Sequence, residues 1–254
     1  MSVRSIILCE GFDDIYILGY YLFKTDSWKI SKKKSLSDLY TLATKPSRNE
    51  RIDIYEKNDD LLAIWGIGGC ASFNKGFKAV KNINENNPEQ GISKIFILMD
   101  RDSKEITDCL EEIRLSLKSS GIQIEPPLIN NFCNVYRYTV EGDDYELEII
   151  PIVIPFEENG ALETILMSAI KEKGKEEERI VNDATSYVNK FITEERLTQY
   201  LSHERLVLKA KFSSVISITN PDRSTALFDA LLMSHEWEER EEIQRHLKVL
   251  NKFL

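Results

Sequence analysis

Two stretches of this chain end an apolar run on acid. Ile6-Ile7-Leu8-Cys9 leads into Glu10-Gly11, and Lys94 through Met99 leads into Asp100-Arg101-Asp102-Ser103. A helical pattern follows each. A buried strand that ends on a carboxylate and then enters a helix sets that carboxylate at the carboxyl edge of a sheet, where open α/β folds bind ligands. Two such junctions in one chain supply the oxygen donors that hard cations take. Mg²⁺ is commonly held by one or two carboxylates together with water and phosphate oxygens. A pair of such ions can hold the attacking water and the leaving oxygen of a phosphodiester on opposite sides. Asp, Ser and Gly after a strand are also ordinary loop and capping residues, so the weight rests on the two junctions taken together.

The pattern of Glu10-Gly11, a glycine turn at Gly68-Gly69 and Asp100-x-Asp102, each after an apolar strand, resembles the Toprim domain of topoisomerases, primases and several nucleases. The resemblance covers about residues 3–125. Further on, Gly160-Ala161-Leu162-Glu163-Thr164-Ile165-Leu166 and Lys209-Ala210-Lys211-Phe212 look like the downstream parts of small stand-alone Toprim proteins. These include a Toprim-like family of unknown function and the Toprim effectors of anti-phage systems paired with an ATPase.

The resemblance implies a metal-dependent nuclease cleaving DNA or RNA, tRNA among the candidate substrates, with two Mg²⁺ or Mn²⁺ ions. It makes Asp100 and Asp102 ligands, and Glu10 a ligand or general acid/base. An ordinary Glu titrates near 4.3, so acid work needs Glu10 desolvated or crowded by the aspartates. Of Asp13 and Asp14, one caps the first helix and the other is within reach of a metal; Asp14 joins the ligand set on that basis. A second ion needs further oxygen donors, and Glu163, at the start of an amphipathic helix, is the best later candidate. Its bland role is interaction with the helix dipole. A lysine beside the metals would stabilise charge developing on the phosphate. Lys211, before Phe212 at the edge of an expected strand, takes that place, with Lys209 as a weaker phosphate contact. The amides of Gly68 and Gly69 are a weak phosphate-binding candidate, and equally a turn that needs positive φ.

Two other classes stay open. The fold could serve without catalysis, as a regulatory or scaffolding subunit of an ATPase-containing complex; on either reading a homodimer is a candidate assembly. Ile-Leu-Met-Asp-Arg-Asp-Ser also suggests the Asp-x-Asp strand of haloacid-dehalogenase phosphatases, but that family wants Thr or Val where this chain has Lys104. No tyrosine of the topoisomerase type and no zinc-finger primase module can be identified.

The whole chain of 254 residues carries a formal charge of −9, which argues against passive, charge-driven coating of nucleic acid. Cys9, Cys70, Cys109 and Cys133 lie far apart and read as free thiols of a reducing compartment. His203, His235 and His246 are equally scattered and read as structural. There is no signal-peptide pattern and no apolar run long enough to span a bilayer, so the expected location is the cytoplasm, away from membranes.

The elements that must position the acids follow from periodicity. The expected fold is α/β: a Toprim-type, Rossmann-like, largely parallel sheet flanked by helices, with a mainly helical C-terminal extension. Strands are expected at about 3–9, 61–65, 94–99 and 122–124, and helices at about 13–23, 72–82, from about 104 to the Ser119-Ser120-Gly121 stop, 161–171, 177–191 and 240–253. Residues 29–60 read as an insertion with a short helix at 36–43 and a basic stretch, Lys32-Lys33-Lys34, that reads first as a solvated loop and, on the sharper alternative, as a phosphate-contacting arm. Residues 84–88 read as a loop. Residues 135–150 read as a β-hairpin, whose second arm is limited by Pro151 and Pro155, and Val215–Thr219 as a further strand. The core is expected over 1–127, with 128–254 completing the fold.

Overall fold

A computed structural model describes residues 3–32, 50–125, 127–193, 199–223 and 228–254. It has a mixed α/β fold. Seven strands form one sheet: β1 (Arg4–Cys9), β2 (Lys29–Ile30), β3 (Arg51–Lys57), β4 (Asp60–Gly66), β5 (Lys94–Asp100), β6 (Asn134–Val140) and β7 (Asp143–Ile154). Their spatial order is β2-β3-β4-β1-β5-β7-β6. The centre is parallel, with β1 pairing β4 on one side and β5 on the other, and β2–β3, β3–β4 and β6–β7 are antiparallel. The central strands are apolar on both faces because both are covered: Ile6, Ile7, Leu8, Ile95, Phe96 and Ile97 are all fully buried.

The chain forms two compact units. The first takes in Met1–Met99, Glu105–Val153 and Phe253–Leu254, the second Asp100–Lys104 and Ile154–Lys252. In the first unit, helix α1 (Phe12–Asp26) packs on β3 and β4, while α2 (Phe73–Asn86) and α3 (Ile106–Ser119) pack together. Leu8, Trp65, Phe77, Val80, Ile97, Cys109 and Ile113 belong to one core cluster. Gly76 is required where α2 crosses the sheet, since a Cβ there would lie 2.7 Å from Leu8. The second unit is helical: α4 (Leu162–Lys171), α5 (Lys175–Thr193), α6 (Glu204–Thr219), α7 (Phe228–Leu232) and α8 (Glu241–Phe253), with α4, α5 and α6 in mutual contact.

Several expectations are corrected. The stretch read as an insertion supplies β2 and β3, whose seven residues pair along all of β4. The expected helix at 36–43 lies outside the described residues, as do Lys33 and Lys34. Residues 122–124 form no strand. Helix α2 runs on through Asn84 to Asn86. Asn84 is buried, donating its amide to Ile92 O at 2.8 Å and accepting Ile92 N–H at 2.7 Å, so the side chain stands in for a backbone partner. The hairpin belongs with the first unit, and its second arm continues through Pro151 to Ile154. Pro151 lies beyond the last β7 residue paired with β6, and its carbonyl accepts Asn131 N–H at 2.8 Å on that side, so the missing donor costs no rung.

The largest correction is α6. Val215–Thr219, read as a strand from its β-branched residues, is the end of a helix. Phe212, Val215 and Ile216 are its buried residues, at i, i+3 and i+4, and that tertiary burial outweighs β propensity.

Candidate metal and phosphate site

Glu10 directly follows β1. It is buried, 7% exposed, and its backbone carbonyl accepts two N–H groups, from Gly68 at 3.0 Å and from Gly69 at 2.9 Å. Those glycines have φ of +81° and +107°, values open to glycine at little cost. Gly66 closes the same turn: a Cβ there would stand 2.8 Å from Gly11 O. The glycine turn thus clamps the backbone of Glu10, and the two amides considered for phosphate are directed at that carbonyl. Asp14, the third residue of α1, reaches back to the N-cap Gly11: its Oδ2 accepts Gly11 N–H at 2.8 Å, and the residue is buried.

In the second unit the acids gather at the N-terminus of α4. Asp100, the last residue of β5, accepts the N–H of Leu162, the first residue of α4, at 3.1 Å. Its carboxylate therefore sits where the helix dipole and an otherwise unsatisfied amide both favour negative charge. Asp102 and Gly160 exchange two backbone hydrogen bonds of 2.7 Å in an antiparallel bridge. Asp102 has φ +51°, a left-handed backbone uncommon for a residue with a side chain. Gly160 allows no substitute, because a Cβ would meet Thr164 Oγ1 at 2.1 Å. Glu163, in the first turn of α4, is 8% exposed.

Helix α6 brings the cations. Lys209 Nζ lies 2.7 Å from Glu163 Oε1. Arg205, four residues earlier and so on the same helix face, acts on Asp102. Burial raises the Asp102 carboxyl above the usual range; Arg205 and Lys104 pull it down, and Glu204 and Glu163 push it up. Lys211 is two residues from Lys209, and on a helix that spacing points the two side chains apart. The lysine that meets the acids is therefore Lys209, and the role expected of Lys211 rested on a strand that is a helix.

The structure brings Asp100, Asp102, Glu163 and Lys209 together in one unit, while Glu10 and Asp14 belong to the other. Among the described residues no three His, Cys, Asp or Glu side chains form a group ready to hold a metal ion. Arg205 and Gly160 were not singled out from the sequence as members of the site. The signal for Gly160 was its place before Ala161-Leu162-Glu163; Arg205 has no local signal, since only the docking of α6 gives it a neighbour. None of the four cysteines is in a disulfide. Among the described residues no helix is long and apolar enough to cross a membrane.

No curated protein matches the sequence. Among solved structures the chain is similar to hypothetical protein PH0156 from Pyrococcus horikoshii OT3, at 18% identity and a TM-score of 0.54, over 99% of this chain and 94% of that one. The likeness supports the α/β fold. Residues 4–254 match a family model described as a protein of unknown function, DUF3226, and the chain belongs to that family.

Proposed function

We propose that the protein is a metal-dependent nuclease that hydrolyses phosphodiester bonds of DNA or RNA. The observation that carries this reading is the set of charges at the N-terminus of α4, where Asp100, Asp102 and Glu163 are gathered with Lys209 and Arg205. The donors are all carboxylate oxygens, which suits Mg²⁺ or Mn²⁺, and such ions complete their shells with water and substrate phosphate oxygens. Asp100 and Asp102 would hold the ion and Glu163 would add an oxygen. Bound there, the metal would polarise the phosphate and lower the pKa of water.

The chain's own groups have distinct tasks in this reading. Lys209, already directed at Glu163, is the donor for a non-bridging phosphate oxygen. Arg205 offers a second cation against charge developing on the phosphate. Asp102, with its carboxyl raised by burial, is an acid whose ionisation a bound cation would favour.

The test is cleavage of plasmid, single-stranded DNA and tRNA with Mg²⁺ or Mn²⁺. Wild-type protein should cut at least one of them in a metal-dependent way, and Asp102→Asn should abolish it. Absence of cleavage from all three, or equal cleavage by the variant, overturns the reading. Resemblance to anti-phage effectors suggests that such a nuclease works beside an ATPase, in which case expression should slow growth and Asp102→Asn should relieve it.

A second reading has its own support. Asp100 caps α4 and Glu163 pairs with Lys209, so each acid also has a structural task. A regulatory subunit built this way would lose stability, and no activity, when those acids are replaced.

A further inference from the structure

One corner of the helical unit brings Lys173 and Arg240 together around a histidine and a buried indole. Lys173 follows the end of α4, and its Nζ lies 3.2 Å from His235 Nδ1. The His235 ring meets that of Trp237 edge to face, with centroids 5.2 Å apart. Arg240 N–H donates to Trp237 O at 3.0 Å, which ties the three residues into one turn. Among the described residues neither Lys173 nor Arg240 forms an ion pair with a carboxylate. Among the described residues, the buried indole Nε1 of Trp237, a residue 1% exposed, and the buried Nε of Arg240 meet no acceptor.

Such an arrangement is unfavourable by itself. Buried donors are normally satisfied, and like charges drawn together in a chain of net charge −9 have many exposed acids to pair with instead. The crowding registers in the groups themselves. Burial lowers the pKa of Lys173, and Arg240 lowers it further against the pull of Glu177. Burial likewise lowers that of His235, with Lys173 and Arg240 adding to it and Ser234 opposing. Carboxylates are plentiful in this part of the chain: Glu236, Glu238, Glu239, Glu241 and Glu242 surround Trp237 and Arg240, and Glu172 and Glu177 are among those beside Lys173. Glu172 is engaged, its two oxygens accepting the N–H groups of Glu241 and Glu242 at the start of α8. Glu177, on α5, offsets part of the charge on Lys173 only.

We propose that Lys173, His235, Trp237 and Arg240 form a binding subsite for a phosphoryl anion. A carboxylate has two oxygens and one charge, whereas a phosphoryl group presents more oxygens in a tetrahedral array and is well matched to donors arriving from several side chains. The subsite is separate from the carboxylates at the other end of α4. Ten residues of helix lie between, about 15 Å along the axis. It needs no metal, so its success or failure is independent of the nuclease reading.

The test uses the full chain in a chelating buffer, with inorganic phosphate as one probe and a short oligonucleotide lacking terminal phosphates as the other. The signal followed is the indole N–H resonance of Trp237. A saturable shift is expected with at least one probe: with phosphate alone the site takes a free or terminal phosphate, and with the oligonucleotide it takes a nucleic-acid backbone. Lys173→Gln and Arg240→Gln should each weaken binding about tenfold, the value of one charge-assisted hydrogen bond. Arg240→Lys should keep part of it, and Lys211→Gln, outside both sites, should bind as the native chain does. No saturable shift with either probe overturns the proposal, as does native affinity in a folded Lys173→Gln, Arg240→Gln double variant.

Discussion

Asp100 and Leu162 are 62 positions apart in sequence, yet the carboxylate of one accepts the backbone N–H of the other at 3.1 Å, on the first residue of α4. This contact gives Asp100 a different energetic role from Asp102, two residues on. Asp100 is stabilised by a helix N-terminus. The Asp102 carboxyl is instead raised by burial, with Arg205 and Lys104 opposing and Glu204 and Glu163 adding to it, and the residue is held in a left-handed backbone.

The two aspartates should therefore respond oppositely to the same substitution. In metal-free buffer, Asp100→Asn should lower stability by about 0.5–1 kcal/mol through loss of the charge at the helix end. Asp102→Asn should raise it by a few tenths to about 1 kcal/mol, because Asn keeps the left-handed backbone and removes a disfavoured charge. The sign follows from linkage: a carboxyl whose folded pKa is raised contributes stability that is present at low pH and lost as pH rises through that pKa. Denaturant unfolding with a chelator checks both, and equal shifts in one direction would refute the assignment. The same two variants should each weaken Mn²⁺ binding by calorimetry if the metal proposal holds.

Lys209 and Lys211 should separate just as clearly. The Lys209–Glu163 pair is partly exposed, so Lys209→Met should change stability by less than about 1 kcal/mol. On the proposed function it should slow metal-dependent cleavage by about tenfold or more, while Lys211→Met leaves cleavage near the native rate. Single-turnover rates at saturating metal decide between them.

Gly69→Ala tests whether the glycine turn is a clamp or a phosphate cradle. No atom lies within 4 Å of the added Cβ, but φ is +107° and ψ is 159°, a region essentially reserved for glycine. The expected result is a loss of about 1–3 kcal/mol in stability. Weaker affinity for an oligonucleotide with unchanged unfolding would instead favour the cradle.

His246 should make stability fall on mild acidification. Its Nε2 accepts Phe156 N–H at 3.1 Å and its Nδ1 faces Glu242 O at 2.8 Å, so the neutral ring with the proton on Nδ1 satisfies both. Burial lowers its pKa; Glu242 O and Glu157 oppose that, and Arg245 adds to it. A depressed folded pKa contributes stability present above the unfolded value, near 6.5, and lost as pH falls from there toward the folded pKa. His246→Gln keeps an acceptor for Phe156 and does not titrate. Between about pH 7.5 and 5.5 the native chain should lose more stability than this variant, and parallel curves would remove His246 as the cause.

Much of this protein was legible in its sequence because the signals are local. Apolar runs ending on Glu10 and Asp100 marked the central strands, and helical periodicity marked α1 to α5 and α8. The β-hairpin and the place of Glu163 in a first helical turn were readable for the same reason. Tertiary structure decided what depends on neighbours distant in sequence. Arg51-Ile52-Asp53-Ile54 became β3 because β4 offered an edge, and Val215–Thr219 became helix because Phe212, Val215 and Ile216 could be buried along one face. That change of period also exchanged the lysines: a strand would have pointed Lys209 and Lys211 to one side, whereas a helix turns them apart and leaves Lys209 on Glu163. Residue order specified which acids the chain carries, but their partners depend on packing, because a carboxylate's charge and backbone cost are set by whatever the fold brings beside it.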